Sequence, residues 1–451
     1  MLPTANHPQI ALRQVAQARR TVRSERGSAL LAALCFATVL AISLGSYLTL
    51  CYRELALSAR SVQGTRSLEL AETGMEEALW ALNKNDWSTW TISGTTASKT
   101  ISDFNFGGGV TGDVAVTIAS YNGTAGTRSV TVVGTTTTAD GQRISRTLTS
   151  SSVPAALAVN AVAATNGTIS FSSGGTVDSY DSAIGKYSSQ TPGYSAILAS
   201  ALSSTSATVQ LTNAQVKGYA ATLYSAGPSY STSAKLIGPT TPDTTRIDAS
   251  RISTSPYQPV FTIKTVTGTG STLSNPTAGS STTLGSPTDT SPAIYYSTGL
   301  NLTSTTKITI NGPVRIVVSG SFYIGLNGGT PSIELTTNGT LEVFAASDIA
   351  IYGNGIKNPS EDPKRVIIYG TNTLTAPDIN TTVPFHGVIY TPNGQFNVLG
   401  NSAIYGALVA KKVVFSGSAP AVHYDVNLRR VVFDGVETPY SISDWRDNNA
   451  D

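Results

Sequence analysis

Few side chains in this sequence are of kinds that do chemistry, and their spacing decides what they can do. There are three histidines, His7, His386 and His423. In His423-Tyr424-Asp425 an imidazole and a carboxylate alternate, so on a strand both face one side. That pair supplies two of the ligands a zinc site needs, without a third or fourth. Asp178 and Asp181 lie in DSYDS with Ser179 and Ser182. Their oxygens suit a hard cation such as calcium, but the spacing is neither an EF-hand loop nor a glycine-aspartate repeat. Asp and Ser so placed more often bond their own backbone in a turn. A site that cleaves polysaccharide would need clustered acids, or a Lys or Arg base beside a carboxylate group. Asp348 and the run Glu361-Asp362-Pro363-Lys364-Arg365 supply charge, but the proline and the mixed signs mark a solvated loop. There is no G-x-S-x-G, no Walker A and no paired cysteine motif. Gly353-Asn354-Gly355 lacks the following helix that phosphate binding requires. The residues therefore name no catalytic group, no metal site and no cofactor.

The bulk properties narrow the classes further. The chain has 451 residues, of which 12% are charged, with a net charge of +2. A nucleic-acid partner would call for a strongly basic face, so none is expected. Gly is abundant at 41 residues, and Ser and Thr run through the chain after residue 87. That composition suits strands joined by tight turns, with hydroxyls on the wet face. Cys35 and Cys51 both lie in one apolar stretch. On a helix they stand roughly 24 Å apart, beyond disulfide reach, and read as small apolar side chains.

The element that must carry everything else is at the N-terminus. Residues 1–27 hold Arg13, Arg19, Arg20, Arg23 and Arg26 against Glu25 alone. From Gly27 to Tyr52 there is no charge, and Arg53-Glu54 end the run. A helix needs about 20 apolar residues to span a bilayer, and the arginine cluster should stay cytoplasmic. A Sec signal peptide would have an apolar core of only ~7–15 residues. A plain signal anchor and a prepilin, cut before the run and keeping its helix, remain. The helical pattern continues past the membrane: Leu68, Ala71, Met75, Ala78, Leu79 and Leu82 form an apolar stripe, with Glu69, Glu72, Glu76 and Glu77 mostly off it. No proline occurs between residues 9 and 153. One helix from about Ser28 to about Leu82 is expected, on the order of 80 Å long.

These segments carry a resemblance. RGSALLAAL, followed by LELAETGMEEALWAL, resembles the N-terminal region of PilX-type minor pilins. Members of that family have a basic leader, a Gly at the cleavage site, an apolar run and, some forty residues on, an A-E-x-G-x-x-x-A segment. Here that segment is Ala71-Glu72-Thr73-Gly74-Met75-Glu76-Glu77-Ala78. The resemblance implies cleavage by prepilin peptidase between Gly27 and Ser28, methylation of the new N-terminus, and contact with other pilins through the helix. Many pilins carry Glu at the fifth mature position, thought to pair with the N-terminus of a neighbouring subunit; this chain has Ala32. An uncharged residue there fits a minor or initiating subunit better than the repeating unit of a fibre. The match covers roughly residues 20–83.

Residues 88–152 read as a small antiparallel sheet. Val114, Val116 and Ile118 alternate, as do Val130 and Val132, then Ile144 and Leu148. The breaks are Gly107–Gly109, Asn122-Gly123 and Asp140-Gly141, which suit hairpin turns. Pro154 marks a boundary. Strand-like pieces such as GTISF and ATVQL follow, then a stretch at 265–292 with almost no apolar content that reads as linker. Beyond it, short apolar runs recur (KITI, RIVVSG, LEVFA, IAIYG, VIIYG, GVIYT, GALVA), most closed by Gly or Asn-Gly. Such a rhythm predicts stacked rungs of a β-solenoid more than a sandwich. Tyr295, Tyr296, Tyr323, Tyr352, Tyr369, Tyr390 and Tyr405 recur at rung positions, where they either stack between rungs or bind a surface. The segment FHGVIYTPNGQFNVLGNSAIYGALVAKKVVFSGSAPAVHYD, with SYDSAIGKY near 180, resembles the β-rich domain often attached to PilX-type N-termini.

The expected organisation is a leader at 1–27, a helix at 28–83 with its membrane part at 28–52, a sheet at 84–153, a β-solenoid or β-helix-like domain at 154–430 and a C-terminal cap at 431–451. The fold class is an α+β pilin-like module followed by an all-β domain. The expected function is that of an accessory type IV pilin-like protein, without enzymatic activity. It would sit in a bacterial inner membrane with its β-rich part extracytoplasmic, for pilus assembly or for adhesion to a surface or glycan. The alternative is a membrane-anchored β-helix enzyme or carbohydrate-binding adhesin acting on polysaccharide.

Overall fold

A computed structural model describes residues 9–122, 128–373 and 377–448. The chain divides into two compact units, Met1–Ser152 with Ile442–Asp451, and Val153–Ser441.

The first unit is built on one helix, Gln9–Lys84. It starts well before Ser28, so the basic segment is continuous with the expected helix; residues 9–27 contain no proline to break it. From Ser28 to Val62 every side chain is exposed. Beyond, the helix packs on an antiparallel sheet of strands Thr91–Ser93, Thr96–Gly107, Val110–Ala119, Arg128–Thr137 and Arg143–Pro154, each paired with the next. Val114, Val116, Ile118, Val130, Val132 and Leu148 are its buried face, the alternation the sequence displays. Gly107, Gly108 and Gly109 make the first hairpin with φ between 61° and 80°, where a side chain would be strained. The turn expected at Asn122-Gly123 lies partly outside the described residues.

The contact line on the helix differs from the stripe of large residues. Ser67, Leu70, Ala71, Gly74, Met75, Ala78, Ala81 and Leu82 are buried, whereas Leu68 and Leu79 are only half-buried. Small residues hold the centre because the two backbones nearly touch there. A Cβ on Gly134 would lie 2.1 Å from the Ser67 carbonyl oxygen. The Ser67 hydroxyl meets the Thr136 hydroxyl at 2.9 Å and donates to the Ile144 carbonyl at 2.8 Å.

The C-terminal tail corrects one expectation. Strand Tyr440–Asp447 is the sixth strand of this sheet, beside Arg143–Pro154. It is not the cap of the β-rich unit, because its backbone groups are taken up by an open sheet edge.

The second unit is β-rich, and among the described residues its main sheet has 21 strands paired in parallel. Ala293–Ser297, Pro313–Val318, Thr340–Ala345, Val366–Gly370, Phe385–Val398 and Ala403–Phe415 follow one another in one ladder. Leu300–Ser304, Phe322–Gly329, Ile349–Gly353 and Asp378–Thr381 form a second, which runs into the later halves of the two long strands. Ser281–Leu284, Lys307–Ile310, Ser332–Leu335 and Ile356–Lys357 form a third. Inward-facing Ile, Val, Leu and Phe from all three make a continuous core.

Two features of this unit are not legible in the sequence. The apparent linker at 265–292 contributes strands Ser271–Thr272 and Ser281–Leu284, and buries Leu273 and Leu284. Backbone pairing to the next strand secures these segments, so little apolar content suffices. The order of stacking also departs from the order of sequence. Ala403–Phe415 pairs on its free side with Val162–Ala164 and Ile169–Phe171, and Ala421–Asp425 pairs with Gly175–Tyr180. From there the stack continues through Ala196–Ser200 and Ala214–Thr222 to Ile252–Ser253. The chain enters its own stack in the middle.

Candidate functional site

Two places bring the singled-out residues together. The first is the helix. Gly27 and Ser28 lie within the continuous helix, and Ser28 is exposed, as is Ala32. Ala32 sits among bare apolar neighbours, with Leu31 67% exposed and Phe36 72%. Among the described residues, one helix segment, Ser28–Lys84, is long and apolar enough to cross a membrane. Forty residues on, the A-E-x-G segment divides its roles. Glu72 is exposed, while Ala71 is fully buried. Gly74 faces the sheet, and a Cβ there would meet a Val114 methyl and a Val132 methyl, each at 2.5 Å. A side chain at Gly74 would push helix and sheet apart. Glu77, one turn further, pairs with Lys99 at 2.7 Å across the edge of the sheet.

The second place is a column of polar rings on the β-rich unit. His386, Tyr405, His423 and Asp178 occupy the same register position in four successive strands. Adjacent strands are ~4.8 Å apart, so flat rings on such a column stack. The Tyr405 ring lies 4.5 Å from His386 on one side and 4.5 Å from His423 on the other. His423 Nδ1 is 2.7 Å from Asp178 Oδ1, and the Tyr187 hydroxyl donates to Asp178 Oδ2 at 2.8 Å. Both carboxylate oxygens are therefore engaged.

Tyr187 sits on a short turn, Tyr187–Ser189, in the segment that follows DSYDS. Its ring covers His423 at 4.1 Å. Gln190 ties the base of the segment, donating to the carbonyls of Asp181 and Gly185. Lys186 pairs with Glu361 at 2.7 Å, so the run Glu361–Arg365 fastens this cover. Burial holds the His386 imidazole down at about 4, so it is neutral at neutral pH. Burial and then the Asp178 hydrogen bond push the Tyr187 hydroxyl up.

The candidate ligands resolve into structural parts. Asp425 is fully buried; its Oδ1 accepts from the backbone N–H groups of Ser182 and Asn427 and caps the turn Val426–Arg430. Asp181 accepts from the Ala183 N–H and pairs with the Asn427 amide. Among the described residues, no three of His, Cys, Asp and Glu converge as a metal site would require. Asp362 caps the turn Pro363–Arg365. The rung tyrosines are mostly spent on packing. Tyr369 and Tyr390 are wholly buried, Tyr352 donates to Asp378, and Tyr296 donates to the Gly268 carbonyl. Exposed tyrosines of this unit lie elsewhere, at Tyr219, Tyr230 and Tyr257, positions with no repeat to single them out.

What fold and sites define together is a protein with one long N-terminal helix, half apolar and bare, half packed on its own sheet, followed by a β-rich unit. A family described as a domain of unknown function (DUF7305) matches residues 263–431. Among solved structures the chain is similar to the competence-associated pilin ComZ from Thermus thermophilus, at 10% identity and a TM-score of 0.27, over 86% of this chain and 97% of that one. A superposition that slight carries no weight for fold or function. No curated protein matches the sequence.

Proposed function

We propose that the chain is an accessory type IV pilin-like protein, of the PilX-type its N-terminal sequence resembles. One observation carries the reading: a single helix changes character along its length. Residues 28–62 expose apolar side chains that water would reject over such an area. Residues 64–82 bury a seam of small residues against an antiparallel sheet. A plain anchor has no need of the second half. In this reading Gly27-Ser28 is the processing point, the bare half of the helix lies in the inner membrane or against other pilins, and Ala32 suits a subunit outside the repeating fibre. The parallel ladders coil as a β-solenoid held outside the cytoplasm, serving pilus assembly or adhesion to a surface or glycan. Its polar column is a structural clamp, and the protein has no catalytic role.

Mass spectrometry of the mature N-terminus from native membranes tests this. A methylated Ser28 is expected; an intact Met1, or a cut beyond residue 45, would sink the proposal.

A further inference from the structure

We infer that the groove where the helix leaves its sheet binds the phosphate headgroup of an anionic phospholipid. The groove is lined by Arg53, Leu57 and Arg60 of the helix and by Asp140 and Arg143 of the hairpin that joins strands Arg128–Thr137 and Arg143–Pro154. The inference rests on the membrane-spanning reading of the helix.

Three observations point to that occupant. The first is charge. Arg53 and Arg60 are two turns apart on one helix face, and Arg143 approaches from the sheet, so three guanidiniums from two elements share one concavity. All three are exposed, and none has an ion-pair partner among the described residues. The one carboxylate in the groove, Asp140, is already engaged by the Thr138 hydroxyl and the Gln142 N–H. The second is position. The uncharged run ends at Tyr52, itself 74% exposed, so Arg53 is the first charge past the apolar span. Arg60 lies ~10 Å further along the axis. The headgroup layer is ~5–8 Å deep on each side of the hydrocarbon, and a long arginine side chain reaches back into it. The third is chemistry. Guanidinium forks match phosphate oxygens in bidentate geometry, where a neutral zwitterionic headgroup offers a competing ammonium. Leu57, 66% exposed between the two helix arginines, gives the acyl-chain end of the same molecule an apolar contact.

The test uses the full chain reconstituted in vesicles of phosphatidylcholine, alone or with one-third phosphatidylglycerol, with spin-labelled lipids reporting which species stays at the protein. The wild-type chain should hold phosphatidylglycerol over phosphatidylcholine by roughly five-fold or more. The triple variant R53Q/R60Q/R143Q should fall to parity, and R53K/R60K/R143K, which keeps the charge without the fork, should keep only part of the preference. Parity in the wild type, or a preference that survives the glutamine variant, overturns the inference. So does displacement of the labelled lipid by inorganic phosphate or by a soluble acidic peptide, which would assign the groove to a free anion or to an acidic partner. A chain that inserts into neither vesicle overturns the membrane-spanning reading together with this one.

Discussion

His423 and Asp178 are 245 residues apart in sequence and face each other in adjacent strands, Nδ1 to Oδ1 at 2.7 Å. Their pairing belongs to the ladder that joins strands Ala403–Phe415 and Ala421–Asp425 to strands Val162–Ala164, Ile169–Phe171 and Gly175–Tyr180. His423 is 8% exposed and Asp178 2%. The column of His386, Tyr405, His423 and Asp178 is thus a polar seam that crosses a place where sequence order and stacking order part.

Asp178→Ala should therefore loosen that junction. It strips a partner from His423 and another from Tyr187 in a site with little water. Removing one member of a buried, hydrogen-bonded pair costs about 3 kcal/mol. Denaturant unfolding of the full chain in detergent should show the loss. Hydrogen exchange should place it in strands 162–180 and 403–425; exchange unchanged in those strands would argue against the seam.

His386 gives the molecule a pH dependence of known sign. Burial lowers its folded-state value from 6.5 to about 4. Between those values the unfolded chain binds the proton and the folded chain does not, so stability falls as pH drops from about 6.5 towards 4 and levels off below. The full shift corresponds to roughly 3 kcal/mol at most. The charged groups facing His386 are Glu361, which opposes the shift, and Lys186 and His423, which add to it. His386→Phe should flatten the thermal stability profile over that interval.

At Gly74 two effects compete. In an exposed helix, Gly→Ala gains about 1 kcal/mol. Here the added methyl meets Val114 and Val132 at 2.5 Å, well inside contact distance, and overpacking costs about 1–3 kcal/mol. Gly74→Val should be worse still, lowering the melting temperature of the full chain in detergent. A neutral or stabilised Gly74→Val would mean the helix does not approach the sheet so closely.

Tyr390 makes a smaller, cleaner test. Its hydroxyl accepts from the Phe261 N–H at 2.7 Å and donates to the Phe261 carbonyl at 2.9 Å, all buried. Tyr390→Phe leaves both backbone groups unpaired and should cost about 2 kcal/mol in denaturant unfolding, without altering the far-UV spectrum.

How far the sequence led depends on how local each cause was. The uncharged run Gly27–Tyr52 and the alternating Val114, Val116 and Ile118 are local patterns, and helix and sheet follow them. Gly74 stood out through its motif, but its reason, the closeness of Val114 and Val132, needed coordinates. The apolar stripe pointed to Leu68 and Leu79, large residues, because hydropathy does not register how near two backbones come. The parallel register of His386, Tyr405 and His423 lay hidden although they recur every 18 or 19 residues, because spacing alone does not say which residues of adjacent strands face each other. That DSYDS lies beside VHYD could not be read locally at all, since no short-range pattern reports a contact across half the chain.

Entry into the stack at its middle has a consequence in time. The strands at 162–180 wait for their neighbours until residues 403–425 exist, about 245 residues later, or ~12–50 s at ~5–20 residues per second. Contacts of such high sequence separation are slow to form in any case. Until those residues emerge, strands 162–180 keep a bare edge. Completion is thereby tied to the emergence of residues 403–425, and the topology itself carries that delay.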